Sequence, residues 1–449
     1  MGAWWNLDIG KHPAPVFGKN AISDKLMLLF TDADQFLDQA KAKGLAEFER
    51  EAEDPDVATD DIPQTWHVRL MGYEAAAGTL RSRLELQGLS SERVRSMCSS
   101  FFEEGLAFDV EHGFDGRDRW PQGHSTYPDG ASVAAGVASR RGQAAATALG
   151  PKTDPEQQFL EGHWESLRES FDDPRFALAV CLMNTRAETK VTIDLTHLVL
   201  EGWMAVDDKP HRDARDRLAA AVAASGPVIV IAEGASDTRW LRRSLEIAEP
   251  ASAHLFEFLD FDEFRSPGGT DRVVSLTKGM ASAKVMNRIV AVLDNDTAGR
   301  LAADQLKALD LPPRIAVTSL PDVSYVVRYP TLGPAGSATA DVNGRAATIE
   351  FMFGDDILRD ADGTLFPVRW HSYIESAGEY QGRLGSQHKS TVGERIDLAL
   401  KGEVEFANSD QVLAGCRRLA AMLLAAAGPP KYIPASEFSD LTSSWRMSQ

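Results

Sequence analysis

Two continuous apolar runs, 227-PVIVIAEG-234 and 288-RIVAVLDND-296, decide the fold of this chain. Both have the length of a strand, are apolar at successive rather than alternate positions, and end on acidic residues. Segments of helical pattern, 238–248, 273–285 and 297–309, lie between and after them. A strand-like stretch occupies 254–261, and a last apolar strand, 314–320, follows Pro312 and Pro313. Strands apolar on both faces and spaced by helices imply βαβ units and a parallel sheet covered on both sides.

Working outward, Trp5, Leu7 and Ile9 alternate with Asn6 and Asp8, the period of a half-buried strand. Leu26, Leu29, Phe30, Phe36, Leu37 and Ala40 then recur at helical spacing, interrupted near residues 31–34. Residues 122–157 are rich in Gly, Ala and Ser and read as a mobile loop. Phe159, Leu160, Trp164, Leu167 and Phe171 form an amphipathic helical stripe that stops before Pro174. Near the end, Val412, Cys416, Leu419 and Leu423 mark a helix that starts at Ser409 or Asp410 and is stopped by Gly428, Pro429 and Pro430. The expected organisation is a mixed α/β N-terminal domain over 1–225, an α/β domain with helices on both faces of a parallel sheet over 227–320, and a mixed C-terminal extension over 321–449.

A length of 449 residues suits two or three domains better than one core. With 47 basic against 66 acidic side chains the net charge is −19, which argues against non-specific coating of a polyanion. A bound divalent cation or a local basic strip can still reverse the field at one site. There is no apolar run of membrane-spanning length and no basic-then-apolar leader pattern, so a cytoplasmic protein without membrane contact is expected. Cys98, Cys181 and Cys416 are widely separated, as buried thiols are, and suit neither a disulfide framework nor a zinc site.

In open parallel sheets the reactive edge lies at the carboxyl ends of the strands. Glu233 sits at one such end, and Asp294 and Asp296 follow another, two residues apart and therefore directed to one side. Carboxylates brought together repel unless a proton or a cation lies between them. Magnesium suits such hard oxygen ligands and keeps waters that phosphate oxygens can replace. Taken singly, Asp-Xaa-Asp is as readily turn chemistry, and Glu-Gly as readily a tight βα connection.

The combination VIVIAEGASDTRWL (228–241) with RIVAVLDNDTAGRLAADQL (288–306) resembles the Toprim domains of bacterial primases, topoisomerases and OLD-type nucleases. That resemblance implies Mg²⁺ or Mn²⁺ held by Asp294 and Asp296, with Glu233 as ligand or acid/base group. In OLD-type nucleases a further acidic motif supplies a second metal, and Asp341 and Glu350 are the candidates for it here. Lys278, and after it Lys284, Arg288 and Arg300, are candidates to meet phosphates, against the plainer reading of solvated helix cations. More widely, MGAWWNLDIG, KNAISDKLMLLF, the stretch 329–354 and YQGRL resemble bacterial proteins with a HEPN/Toprim-associated N-terminal domain. The HEPN name directs attention to an Arg–His pair, for which Arg117 or Arg119 with His124 has the spacing, but Pro121 and Gly123 oppose the helix such a pair needs.

The expected function is Mg²⁺-dependent cleavage of DNA or RNA by a Toprim-type nuclease, with a role in bacterial defence or genome maintenance by family analogy alone. The alternative is a non-catalytic module, built on a Toprim scaffold, that binds nucleic acid or a partner protein. Primase- or topoisomerase-like chemistry ranks third, for want of an evident nucleotidyl-accepting tyrosine motif and of zinc-ribbon cysteines.

Overall fold

The structure, a computed structural model, describes residues 2–38, 69–114, 125–147, 155–259, 268–403 and 409–428. The chain is mixed α/β and forms two compact units, Met1–Arg217 and Leu218–Gln449.

The N-terminal unit is built on a five-stranded antiparallel sheet. Its strands are β1 (Trp4–Ile9), β2 (His12–Lys19), β3 (Gln35–Leu37), β4 (Met71–Ala76) and β5 (Lys190–Asp194), in spatial order β2-β1-β5-β4-β3. In β1 Trp5, Leu7 and Ile9 point into the core and Trp4 and Asn6 to solvent, so the alternation in the sequence is the burial pattern. The helices of this unit are α1 (Asp24–Met27), α2 (Ala77–Leu86), α3 (Ser91–Glu111), α4 (Gly130–Thr147), α5 (Pro155–Phe171), α6 (Pro174–Leu182), α7 (Thr196–Leu200) and α8 (Pro210–Ser225), the last running across the boundary. α6 is buried from Phe176 to Leu182. Over residues 130–147 the helix α4 corrects the reading of 122–157 as a loop; residues 122–124 and 148–154 lie outside the described residues. Alanine is the strongest helix former, and Val133, Ala134 and Ala138 are buried on one side of α4. Its Gly130 lets the backbone approach Cys98 so closely that a Cβ would stand 2.1 Å from the Cys98 carbonyl oxygen. The composition that resembles a linker is the one that close helix packing uses. Buried Tyr73 shares a 2.7 Å hydrogen bond between its hydroxyl and Nδ1 of buried His211, and burial holds that imidazole below its usual range.

In the C-terminal unit β6 (Val228–Ile231), α9 (Ala235–Ala248), β7 (Phe256–Phe258), α10 (Thr270–Ser282), β8 (Ile289–Leu293), β9 (Asn295–Asp296), α11 (Thr297–Lys307) and β10 (Ile315–Ser319) follow in chain order. Four of these strands make an all-parallel sheet in the order β10-β8-β6-β7. Every residue of β8 is buried, as a central strand covered on both faces requires. Val228, Val230, Val290 and Val292 join a core with Trp240, Leu241 and Leu245 of α9, whereas Ile231, Ile289, Ala291 and Leu293 pack with Val273 and Val274 of α10 and Ala302, Ala303 and Leu306 of α11. The period of two along each strand thus feeds two helical layers.

Beyond this sheet, β11 (Tyr329–Gly333), β12 (Gly336–Ala340), β14 (Val368–Ile374) and β15 (Glu379–Leu384) make a second sheet in the order β12-β11-β14-β15, and the short β13 (Ala346–Ala347) pairs with β9. Two helices close the unit, α12 (Ser386–Lys401) and α13 (Ser409–Ala427). α13 buries Cys416, Leu419, Ala420 and Leu423 in the core shared with α9. All three cysteines are buried, and none is in a disulfide. Among the described residues, no helix is long and apolar enough to cross a membrane.

Candidate functional site

The carboxyl ends of β6 and β8 lie side by side, because these strands are neighbours in parallel register with Ile231 opposite Ala291. Glu233 leaves the first strand and Asp294 the second. The Glu233 side chain crosses between them, with Oε1 accepting from the Asp294 backbone N–H at 2.9 Å and Oε2 from the Thr270 hydroxyl at 2.6 Å. Gly269 N–H donates to the Glu233 carbonyl at 2.6 Å, so the start of α10 is folded onto this strand end.

Asp296 caps α11. Its Oδ1 accepts from Gly299 N–H at 2.7 Å, and its Oδ2 from Nε2 of Gln381 on β15 at 2.7 Å. Between the two aspartates, Asn295 accepts from Gly344 N–H and donates to Asp322, which ties the loop down on its outer side.

Two further carboxylates belong to the same neighbourhood. Asp237 is in the first turn of α9, four residues after Glu233, and lines a small cleft with Glu233 and Asp294. Glu350 lies in the 3₁₀ turn Ile349–Phe353, is 1% exposed, and has its Oε2 hydrogen-bonded by the Thr348 hydroxyl. Asp294 feels the charges of Asp237, Glu233, Asp296 and Glu350, and among the described residues Lys389 of α12 brings a positive charge to them. Its stem is exposed, but Nζ reaches 3.0 Å from Oε1 of Glu350.

The electrostatics follow from five carboxylates facing one ammonium. Burial pushes the carboxyls of Glu233, Asp294 and Asp296 above the ordinary range, and the charge of Asp296 adds to the shift at Glu233. Burial together with the charge of Glu350 raises Asp237 to about 7. At Lys389 burial works against the charge, but Glu350 and the aspartates outweigh it, and its ammonium is held above the usual lysine range. The residues present fit a hard divalent cation in their chemistry: the donors are carboxylate oxygens, and anionic charge is in excess. Among the described residues, however, no three acidic, histidine or cysteine side chains are drawn together as a ligand set. Both oxygens of Glu233 and both of Asp296 are engaged in internal hydrogen bonds.

The other sequence candidates are scattered. Asp341 is exposed in a turn, where its Oδ1 accepts from the backbone and side chain of Asn343, while Glu350 from the same motif is in the cluster. Lys278 is eight residues along α10 from Thr270, about 12 Å down the helix axis, and Lys389 takes the place beside the carboxylates. Lys284 is exposed in the turn after α10, Arg288 donates to the Gly428 carbonyl, and Arg300 pairs with Glu379. Arg117, Arg119 and His124 lie outside the described residues. Sequence reading missed Asp237, Thr270, Thr348, Gln381 and Lys389. Only Asp237 left a trace, as an acid one helical turn from Glu233.

No curated protein and no solved structure matches the chain. A family match covers residues 1–217, ending where the N-terminal unit ends, and its description is HEPN/Toprim N-terminal domain 1. The match supports a HEPN/Toprim-associated protein with a nucleic-acid-related function, and it rests on the N-terminal unit alone.

Proposed function

We propose that the C-terminal unit carries out divalent-metal-dependent cleavage of phosphodiester bonds in DNA or RNA, as a cytoplasmic nuclease of the Toprim type. The observation that carries this reading is the group of buried carboxylates at the ends of β6 and β8, held in surplus over a single lysine. Glu233, Asp294 and Asp296 would hold the ion, with Asp237 and Glu350 on its other flank. A bound Mg²⁺ or Mn²⁺ supplies Lewis-acid polarisation of the phosphoryl oxygen and lowers the pKa of a bound water. The chain's own residues provide the rest. Glu233, whose carboxyl burial holds above the ordinary range, can accept or return a proton. Lys389, held as an ammonium on a partly exposed stem, can meet negative charge that develops on the phosphate. Thr270 and Gln381 fix the carboxylates they touch.

One observation favours the second reading, a non-catalytic binding module. Glu233 and Asp296 already spend both oxygens within the fold. Single- and double-stranded DNA and RNA incubated with Mg²⁺ or Mn²⁺ separate the two. Cleavage should require the metal and fall at least about 100-fold in Asp294→Asn and Glu233→Gln. Metal-independent binding with no cleavage of any substrate, or equal cleavage by both variants, rejects the nuclease reading.

A further inference from the structure

The hairpin of β14 and β15 stands against the carboxylate cluster at two points. Gln381 on β15 donates to Asp296, and Lys389, in the second turn of the helix that follows β15, reaches Glu350. Between these two contacts along the chain lies Arg383. The register of the hairpin sets Arg383 directly opposite Arg369, and both are exposed.

Like charges directly opposed across an antiparallel pair are destabilising. Neighbouring cations on this surface are neutralised, since Glu379 takes both Arg300 and Arg345, and Arg345 also lies 4.5 Å over the ring of Trp370. Arg369 and Arg383 are treated differently. Among the described residues neither has an ion pair, in a chain with 66 acidic side chains to supply one.

Residues two apart in a strand share a face and stand about 7 Å apart, so Arg383 projects on the side of Gln381, one pleat repeat from the residue that touches Asp296. An anion received there lies next to whatever the cluster holds. Guanidinium forks match phosphate oxygens, and two of them across a strand pair can grip one phosphate from both sides.

We propose that Arg369 and Arg383 form a clamp for a backbone phosphate of a polynucleotide strand, adjoining the phosphodiester held at the carboxylate cluster. The clamp rests on the reading of that cluster as a nucleic-acid site. It adds that the substrate is a strand with consecutive phosphates rather than an isolated phosphodiester.

The test uses the full-length chain and fluorescein-labelled single-stranded DNA and RNA oligonucleotides, with anisotropy recorded over a series of salt concentrations. R369Q/R383Q should lower affinity by about tenfold or more. It should also flatten the slope of log affinity against log salt by about 0.7, the release expected for one single-strand phosphate contact. R369K/R383K should restore the slope and recover affinity only in part, because lysine keeps the charge and lacks the fork. The glutamine variant should melt no lower than wild type, since a repulsion has been removed. Hydrolysis of bis(4-nitrophenyl) phosphate, which has no neighbouring phosphate, separates the two proposals. If wild type and R369Q/R383Q hydrolyse it at equal rates while only the variant loses oligonucleotide binding, both stand. If neither hydrolyses any phosphodiester but the variant still loses binding, the cluster reading fails and the clamp stands. Binding and slope unchanged in R369Q/R383Q overturn the clamp, as does binding lost only together with thermal stability or no oligonucleotide binding by wild type.

Discussion

Replacing Gly299 by alanine places a methyl carbon 2.2 Å from the carbonyl oxygen of Asp294. The backbone there is ordinary helix, so the conflict is one of space and not of conformation. The obstructing atom belongs to the main chain and has no rotamer to escape into. A tolerable separation is above about 3 Å, and the first turn of α11 must therefore part from the 294–296 loop by about 1 Å. Overpacking of this kind costs about 1–3 kcal/mol. The gain in helix propensity from Gly to Ala, about 1 kcal/mol, offsets part of it. The net loss of about 0–2 kcal/mol corresponds to a few degrees in melting temperature for a unit of this size. The effect on activity should be larger. Gly299 N–H holds Asp296 Oδ1 at 2.7 Å, so Asp296 is displaced relative to Asp294, and a misplacement of about 1 Å can cost about 100-fold in rate. Thermal melts and metal-dependent cleavage of one oligonucleotide, measured on Gly299→Ala at a temperature where it is fully folded, check this. A variant that cleaves at the wild-type rate would refute the argument that this contact positions the carboxylates.

Two further predictions concern the N-terminal unit. Burial pushes the Asp34 carboxyl up, but hydrogen bonds from Arg83 and Thr31 outweigh it and hold it below the ordinary range. A depressed folded-state pKa gives stability that is present above the unfolded value near 4 and is lost as pH falls through the folded one. Asp34→Asn should therefore cost about 1–3 kcal/mol at neutral pH and progressively less toward pH 3 in urea melts; a penalty independent of pH would count against the ion pair. Tyr73→Phe leaves Nδ1 of His211 buried without its 2.7 Å partner and should lower stability by about 1–3 kcal/mol with little change in the fold seen by circular dichroism. A melting temperature equal to that of wild type would show that the hydroxyl is dispensable.

The parallel sheet was legible because its strands are buried on both faces. Valine and isoleucine at successive positions, as in 289-IVAVL-293, leave little else to build. Residues 122–157 were misread for a physical reason: a Gly/Ala/Ser-rich segment suits a solvated linker and a tightly packed helix equally well until the partner surface is known. For α4 that surface is the backbone at Cys98, 2.1 Å from where a Cβ on Gly130 would be, a contact between residues more than 30 apart in sequence. The second sheet was not legible because its strands mix faces. In β14 the pairing jumps between Trp370 and Ser372, and the bulge breaks the period of two on which strand reading depends.

The candidate site divides along the same line. Glu233, Asp294 and Asp296 follow strand ends, and a strand end fixes direction locally, so their meeting could be argued from sequence. Asp237 and Lys389 stand on helices, where an acid in the first turn or a lysine on a polar face is the commonest surface chemistry. What makes them functional candidates is charge balance, which is a property of the assembled set. Asp237 raised to about 7 and Lys389 raised above its normal value are two responses to the same surplus of buried anion. That surplus links stability to activity. Each carboxylate held there above its unfolded pKa opposes folding as pH rises. Five carboxylates gathered about Lys389 are the physical support for the proposal that a cation completes this site.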